Sequence, residues 1–337
     1  MSLQSQFKEF NKKIALSKTE QEELRNKRSV LTDKLRSSKD MPVFDDYCQG
    51  SYATHLGVKP VDDREYDIDI ALMFNINATN HNPYEIKSKI AKVLKGHNTT
   101  DPKIKDPCVT MTYIEDGNAK YHLDLVTYSY QDSESNESQP YLARGKAADE
   151  AEWEEADPKG LINYINKTIA DADDPSQLRR VIRYLKRWKT LKFSPQGDSE
   201  PPSIGITLIA LEGYKNSPGN DLLATIDVVN AIKNRFYANG LDTSGNEMWK
   251  IAYPLPDSLY FKKPNDVFEK MSTVQQRGFH QKIETLLNGL IAVQNEPDII
   301  NQCKKLRKIF GDDFKIPDEA STSRRQSNFF PSSSHSG

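Results

Sequence analysis

The chain has 337 residues, with 46 Lys and Arg against 48 Asp and Glu and a formal net charge of −2. That length suits one large bilobal domain or two domains with sizeable cores, and the near-neutral balance argues against tight duplex binding through a global basic field. Three cysteines (Cys48, Cys108, Cys303) without metal-ligand spacing, no N-terminal apolar leader and no membrane-length apolar run predict a soluble, cytoplasmic protein with no membrane span.

From Ser5 to Ser38 there is neither Pro nor Gly, and Phe7, Phe10, Ile14, Leu24, Val30, Leu31 and Leu35 fall at roughly helical spacing. Residues 1–40 are therefore read as one or two helices, broken near Ser17-Lys18-Thr19-Glu20, which has the form of a capping box. Residues 41–150 hold the strand-like segments of a mixed α/β lobe. Within them, Pro83 to Lys95 predicts an amphipathic helix with Ile86, Ile90, Val93 and Leu94 inward. Lys103 to Tyr113 predicts a strand with Cys108, Thr110 and Thr112 on one face, and Asp116-Gly117-Asn118 is a hairpin-turn signal. Residues 131–139 read as a loop.

Residues 151–317 read as a mostly helical lobe. Helices are expected over 153–169, with Pro158 at a helix start, and over 177–192, 204–214, 221–236, 268–293 and 297–310, the last closed by Gly311. Ser203, after Pro201-Pro202, is the expected N-cap of the 204–214 helix. Residues 247–262 look extended and irregular. The stretch 318–337 is rich in Ser, Arg and Asn and predicts a disordered tail.

The chemistry concentrates in QGSYATHLGVKPVDDREYDIDIALMF, residues 49–74. A period of two places Asp67 and Asp69 on one face of a strand and Ile68 and Ile70 on the other. Neighbouring carboxylates repel each other and are disfavoured in strands, so a divalent cation is the expected compensation. A third carboxylate, Asp124, stands between Leu123 and Leu125 in the strand-like KYHLDLVTYSY. This order points to a site in which Gly50 and Ser51 hold a triphosphate while Asp67, Asp69 and Asp124 are catalytic residues binding two Mg²⁺ ions, with Mn²⁺ as a substitute. A glycine admits a close backbone approach to phosphate, and the N–H groups at Gln49, Gly50 and Ser51 with the serine hydroxyl would contact the β and γ phosphates. His122, on the face of Asp124, reads more simply as a packed or exposed strand residue.

In residues 177–192, Leu178, Val181, Ile182, Leu185 and Trp188 form one helix face, and Arg179, Arg183 and Lys186 form a stripe beside it. The plain reading is a core helix with solvated charges. The functional one is a phosphate clamp.

Gly-Ser, a D-x-D strand and a distant Asp resemble the signature of the polymerase-β-like nucleotidyltransferases. GSYATHLGVKP followed by EYDIDIAL is similar to the bacterial cGAS/DncV-like nucleotidyltransferases (CD-NTases), as is the closing order PLPDS, NDVFEKM and FGDDF, so the likeness covers about residues 5–317. The resemblance implies an α+β fold: a polymerase-β-like lobe with a mixed sheet plus a mostly helical second lobe, bilobal, with the active site in the cleft and the N-terminal helix as a spine. It implies a metal-dependent synthase that condenses NTPs (ATP, and GTP or a pyrimidine NTP) into a cyclic di- or trinucleotide for anti-phage (CBASS-type) signalling through an effector protein. It carries Lys186 over as a triphosphate contact. Ser203 is carried over likewise, although Ile204 stands where the animal branch has a base-stacking aromatic. A tail ending in Gly337 resembles the substrate of ubiquitin-like conjugation machinery. Two readings stay open beside it: a nucleotidyltransferase acting on RNA or a small-molecule acceptor, and a non-catalytic nucleotide-binding scaffold.

Overall fold

Ser17 separates the two helices that open the chain. In the computed structural model α1 (Leu3–Ile14) is followed by α2 (Lys18–Arg36), which begins on a complete capping box. The Ser17 hydroxyl accepts from the Glu20 N–H at 3.2 Å, and the Glu20 carboxylate accepts from the Ser17 N–H at 2.7 Å. The structure describes residues 2–61, 66–115, 118–132, 138–194, 200–256, 259 and 266–318, with the backbone alone at 66, 67, 115 and 118–120. The expected turn at Asp116-Gly117 and the tail expected to be disordered lie outside the described residues, Asp318 excepted. Two compact units result: Ala15–Ala172 with Tyr253–Glu269, and Met1–Ile14 with Asp173–Ala252 and Lys270–Gly337.

The first unit is built on a sheet. Its elements are β1 (Phe44–Cys48), α3 (Gly50–Ala53), β2 (Tyr66–Asn77), α4 (Pro83–Leu94), β3 (Lys103–Ile104), β4 (Cys108–Glu115), β5 (Asn118–Tyr130), β6 (Pro140–Ala143), β7 (Trp153–Glu155) and α5 (Pro158–Ala170). Strand order is β1-β2-β5-β4-β3, with β6 joining β5 to β7; β2 and β5 run parallel and every other pair antiparallel, so the sheet is mixed. Alternation decides the faces. Ile68, Ile70, Leu72 and Phe74 of β2 and Leu123 and Leu125 of β5 are buried in one cluster with Leu24, Leu31 and Leu35 of α2 and Ile86, Ile90 and Leu94 of α4. The opposite face carries Ala71, Met73, Val126 and Tyr128.

Two expectations for this unit are corrected. Residues 103–113 are two antiparallel strands, because the Lys105 N–H donates to the Cys108 carbonyl at 2.8 Å and turns the chain. The fully buried Lys87 holds that turn by donating to the carbonyls of Lys105 (3.2 Å), Asp106 (2.8 Å) and Gly145. Burial pushes its ammonium pKa down, and the three carbonyls supply the hydrogen bonds a buried cation requires. Trp153 opens a strand, not a helix, since 153–155 pairs with β6. Pro158 does start α5, after Asp157 as N-cap.

The second unit is mostly helical: α1, α6 (Pro175–Lys192), α7 (Ser203–Gly213), α8 (Asp221–Asn234), the hairpin β8 (Phe236–Leu241) and β9 (Glu247–Ile251), α9 (Thr273–Gln294) and α10 (Ile299–Phe310). All five apolar positions expected on α6 are buried. Tyr184, unremarked in the sequence, centres an aromatic cluster, its ring 5.3 Å from Phe7 and 5.4 Å from Phe10. Its hydroxyl donates to Asp221, which is completely buried and accepts a two-point contact from Arg180 at 2.7 and 2.8 Å. Gln177 donates to the same carboxylate at 3.0 Å. Here too the expected bounds shift: α9 begins at Thr273, where Ser272 and Gln275 form a capping box, and Phe236 opens a strand where a helix end was expected.

Candidate active site

Asp69 and Asp124 meet by strand register. β2 and β5 are parallel and pair Asp69 with Asp124, Asp67 with His122. Side chains directly opposite on neighbouring strands stand about 5 Å apart at Cβ, close enough for two carboxylates to repel and for one cation to bridge them. Both point from the face opposite the α2–α4 core, since Ile68, Ile70, Leu123 and Leu125 occupy that core. For Asp67 the backbone alone is described, so among the described residues no cluster of three metal-ligating side chains is found. The donor set that is present, hard carboxylate oxygens from adjacent strands, fits Mg²⁺.

β4 adds a residue. Thr110, completely buried and paired in register with Asp124, donates its hydroxyl to Asp124 Oδ1 at 2.5 Å. That bond holds one carboxylate oxygen and leaves the other for a ligand. Cys108, two residues before Thr110, has its thiol pKa pushed up to about 12, by burial first and then by the Asp124 charge. Its thiol is a packing group here. The sequence had put Thr110 on the right face; only the register shows whose neighbour it is.

The Gly50 turn packs on Asp69. The Gln49 N–H donates to the Asp69 carbonyl at 3.0 Å, which joins the end of β1 to β2. Gly50 has φ +61°, and an added Cβ would overlap Asp69 Oδ2 and stand 3.3 Å from its Cγ. Glycine is required twice over, for the left-handed backbone and for the close approach. The Gln49 side chain is fixed from below: the buried Tyr128 donates its hydroxyl to Gln49 Oε1 at 3.1 Å, and burial raises the Tyr128 pKa so that it stays a donor. Ser51 lies in the four-residue α3, whose end is held by Asn166 of α5 donating to the Ala53 carbonyl at 3.2 Å.

Behind the turn, β1 is pinned to α2. Arg28 donates to Asp46 Oδ2 at 2.5 Å, to the Asp46 carbonyl at 2.8 Å and to Cys48 Sγ at 3.2 Å, while Arg36 pairs with the other carboxylate oxygen. The Asp46 side chain is only 7% exposed. Asp45 and Asp46 lie in β1, and Asp46 anchors the strand that delivers Gln49 and Gly50.

The remaining expected site residues belong to the helical unit. Lys186 and Arg183 lie on α6, where Arg183 donates to Asn11 Oδ1 at 3.1 Å and has its pKa lowered by burial and then by the Arg179 charge. Arg179 Nε is buried without a hydrogen-bond partner among the described residues. Ser203 is the first residue of α7 and not its cap: Pro202 occupies the N-cap position, with no side-chain cap bond.

A parallel β2–β5 pair carrying facing aspartates, with a glycine turn packed on one of them, is the arrangement of a nucleotidyltransferase lobe. Residues 1–168 match the Second Messenger Oligonucleotide or Dinucleotide Synthetase domain family. Among curated proteins, the chain is 26% identical over 181 residues to a cyclic GMP-AMP synthase of Escherichia albertii and 22% identical over 197 residues to a c-di-GMP synthase of Roseivirga ehrenbergii. Those stretches cover 52% and 50% of this chain but only 38% and 48% of the relatives. The structure is similar to the CD-NTase CdnG of Bradyrhizobium diazoefficiens in complex with GTP (TM-score 0.70, 17% identity, 93% of this chain and 97% of that one). It is also similar to Vibrio cholerae DncV cyclic AMP-GMP synthase in complex with nonhydrolyzable GTP (TM-score 0.68, 15% identity, 90% and 93%). The chain belongs to the bacterial cGAS/DncV-like nucleotidyltransferases, and its mixed α+β fold is theirs. No helix among the described residues is long and apolar enough to cross a membrane.

Proposed function

We propose that the protein is a cyclic oligonucleotide synthase that condenses NTPs into a cyclic di- or trinucleotide and releases pyrophosphate. The observation that carries this reading is the parallel register that sets Asp69 opposite Asp124, with the Gly50 turn packed against Asp69. Asp67, Asp69 and Asp124 would hold Mg²⁺, which supplies charge neutralisation on the triphosphate and acidifies the acceptor hydroxyl. The chain's own groups position the reactants. Gln49, Gly50 and Ser51 bind the β and γ phosphates, Tyr128 fixes Gln49, and Thr110 orients Asp124 on the acceptor side. In each condensation the ribose hydroxyl oxygen bonds to the α-phosphorus in line, the α–β phosphoanhydride bond breaks, and the hydroxyl proton is lost to solvent. Lys186 and Ser203 are assigned to triphosphate binding by their match to the family pattern, and Arg183 by its place in the cationic stripe of α6. Arg179, whose Nε is buried without a hydrogen-bond partner among the described residues, supports an anion-binding role for that stripe.

This reading also assigns the product to an effector protein in cytoplasmic anti-phage (CBASS-type) signalling, with NTPs as substrates and Mn²⁺ as a substitute metal. The test is a product assay with all four NTPs, Mg²⁺ or Mn²⁺ and then phosphatase, beside Asp69→Asn and Asp124→Asn. A phosphatase-resistant small nucleotide, absent with both variants, is the expected result. A product found only on an added RNA or small-molecule acceptor would replace this reading with that of a macromolecule- or drug-modifying nucleotidyltransferase.

A further inference from the structure

Three helices of the second unit, α6, α9 and α10, line a partly open pocket of about 430 Å³. That lies within the range of small-molecule sites. Its floor is apolar. Trp188 and Leu286 are 3% and 2% exposed, and Gly289 keeps the floor open, since a Cβ there would stand 3.1 Å from Ile309 Cδ1. Four lysines line the same pocket, Lys192, Lys282, Lys305 and Lys308, and no carboxylate does.

A structural role accounts for part of this. Lys192 donates to the Lys308 carbonyl at 3.0 Å and Lys282 donates to the Lys192 carbonyl, so each closes a helix C-terminus, where a cation is favoured. Lys305 pairs with Glu296 at 2.5 Å. Helix capping asks for a cation near each end. It does not ask for four lysines and no carboxylate around one apolar hollow, whose walls their stems cover. Apolar floor and cationic wall together select a ligand with the opposite pattern.

We propose that this pocket binds a small amphipathic organic anion, its flat or branched apolar body seated on Trp188 and Leu286 and its acidic groups held by the lysines. A volume of about 430 Å³ suits a drug-sized molecule. The site is built wholly from α6, α9 and α10, so it uses none of the carboxylates on β2 and β5 and does not depend on the proposed reaction.

The probe is 1-anilinonaphthalene-8-sulfonate with the full chain, read by its own fluorescence and by quenching of tryptophan emission. The expected result is saturable binding at one site per chain, displaced by naphthalene-1,5-disulfonate. Binding should weaken about tenfold in Lys308→Glu, an exposed substitution that leaves the core intact, and be lost in Gly289→Leu, which fills the floor. Circular dichroism and a thermal melt confirm that each variant is folded, and NTP turnover should be unchanged in Lys308→Glu. Absence of saturable binding would overturn the proposal, as would folded variants that bind as tightly as the parent. Displacement by an acidic amphipathic helical peptide but not by the disulfonate would also overturn it, in favour of a protein partner.

Discussion

Replacing Gly50 by alanine separates two reasons for a glycine. The first is the backbone: φ is +61° there, and placing an L side chain in that region costs about 1–2 kcal/mol. The second is contact: the added methyl would overlap Asp69 Oδ2, and Asp69 or the turn must move. Gly96 supplies the control, because it has φ +68° and nothing within 4 Å of an added Cβ. Gly96→Ala should therefore lose the backbone cost alone and Gly50→Ala at least as much, about 2–4 °C in Tm for each kcal/mol in a unit of this size. They should differ in rate. A displacement of about 1 Å at a positioned catalytic group costs on the order of 10²-fold. Gly50→Ala is expected to lower kcat by about that factor with Mg²⁺ and NTPs, and Gly96→Ala to leave it within twofold. Initial-rate measurements of pyrophosphate release beside thermal melts check both. A Gly50→Ala enzyme with wild-type kcat would refute the argument that the turn sets the position of Asp69.

Three further outcomes follow from single contacts. Thr110→Val keeps the shape and removes the hydroxyl from Asp124, and should lower kcat about tenfold with little change in KM, whereas Thr110→Ser should retain most activity. Arg28→Ala leaves Asp46 with Arg36 alone in a largely buried position; urea unfolding should report a loss of about 3 kcal/mol, and Arg28→Lys should not restore the three-point contact. For Asp221, burial acts upward on the pKa but the Arg180, Gln177 and Gln4 hydrogen bonds outweigh it and hold the carboxyl below its usual 3.8. A carboxyl whose folded pKa is depressed adds stability that is fully present above the unfolded value and is lost as pH falls through the folded one. Melts taken as the pH falls from the usual carboxyl range to below it should show the parent losing stability at the acid end, and Asp221→Asn starting lower and falling less.

The sequence made the faces legible and left the partners hidden. A period of two is a property of one strand, so the alternation at 67–70 was enough to set Asp69 against Ile68 and Ile70, and the alternation at 122–125 did the same for Asp124. Which strand lies beside which is decided by packing on α2 and α4 and by the chain's crossover, and no local pattern encodes it. Hence the parallel pairing of Asp69 with Asp124, and the antiparallel approach of Thr110 to the same carboxylate, appear only in three dimensions. The errors have the same origin. Residues 103–113 alternate like one strand, yet a buried lysine from α4 bends them at 105–106, a tertiary contact without a local signal. Nothing local marks Lys87 as buried, since Lys almost always faces solvent.

Capping shows the converse. Ser17 with Glu20 was legible because both halves of the reciprocal bond lie within four residues. Ser203 was misread because two preceding prolines already fix the helix entry, so the serine enters the helix and its hydroxyl is not spent on a cap. That last difference bears on function. A hydroxyl released from capping at the first turn of α7 is available to a ligand in a way that a capping serine is not, so Ser203→Ala should cost little stability. If Ser203 contributes to triphosphate binding, the substitution should raise the KM for NTP with kcat retained; a change in melting temperature at constant KM would return the residue to a structural role.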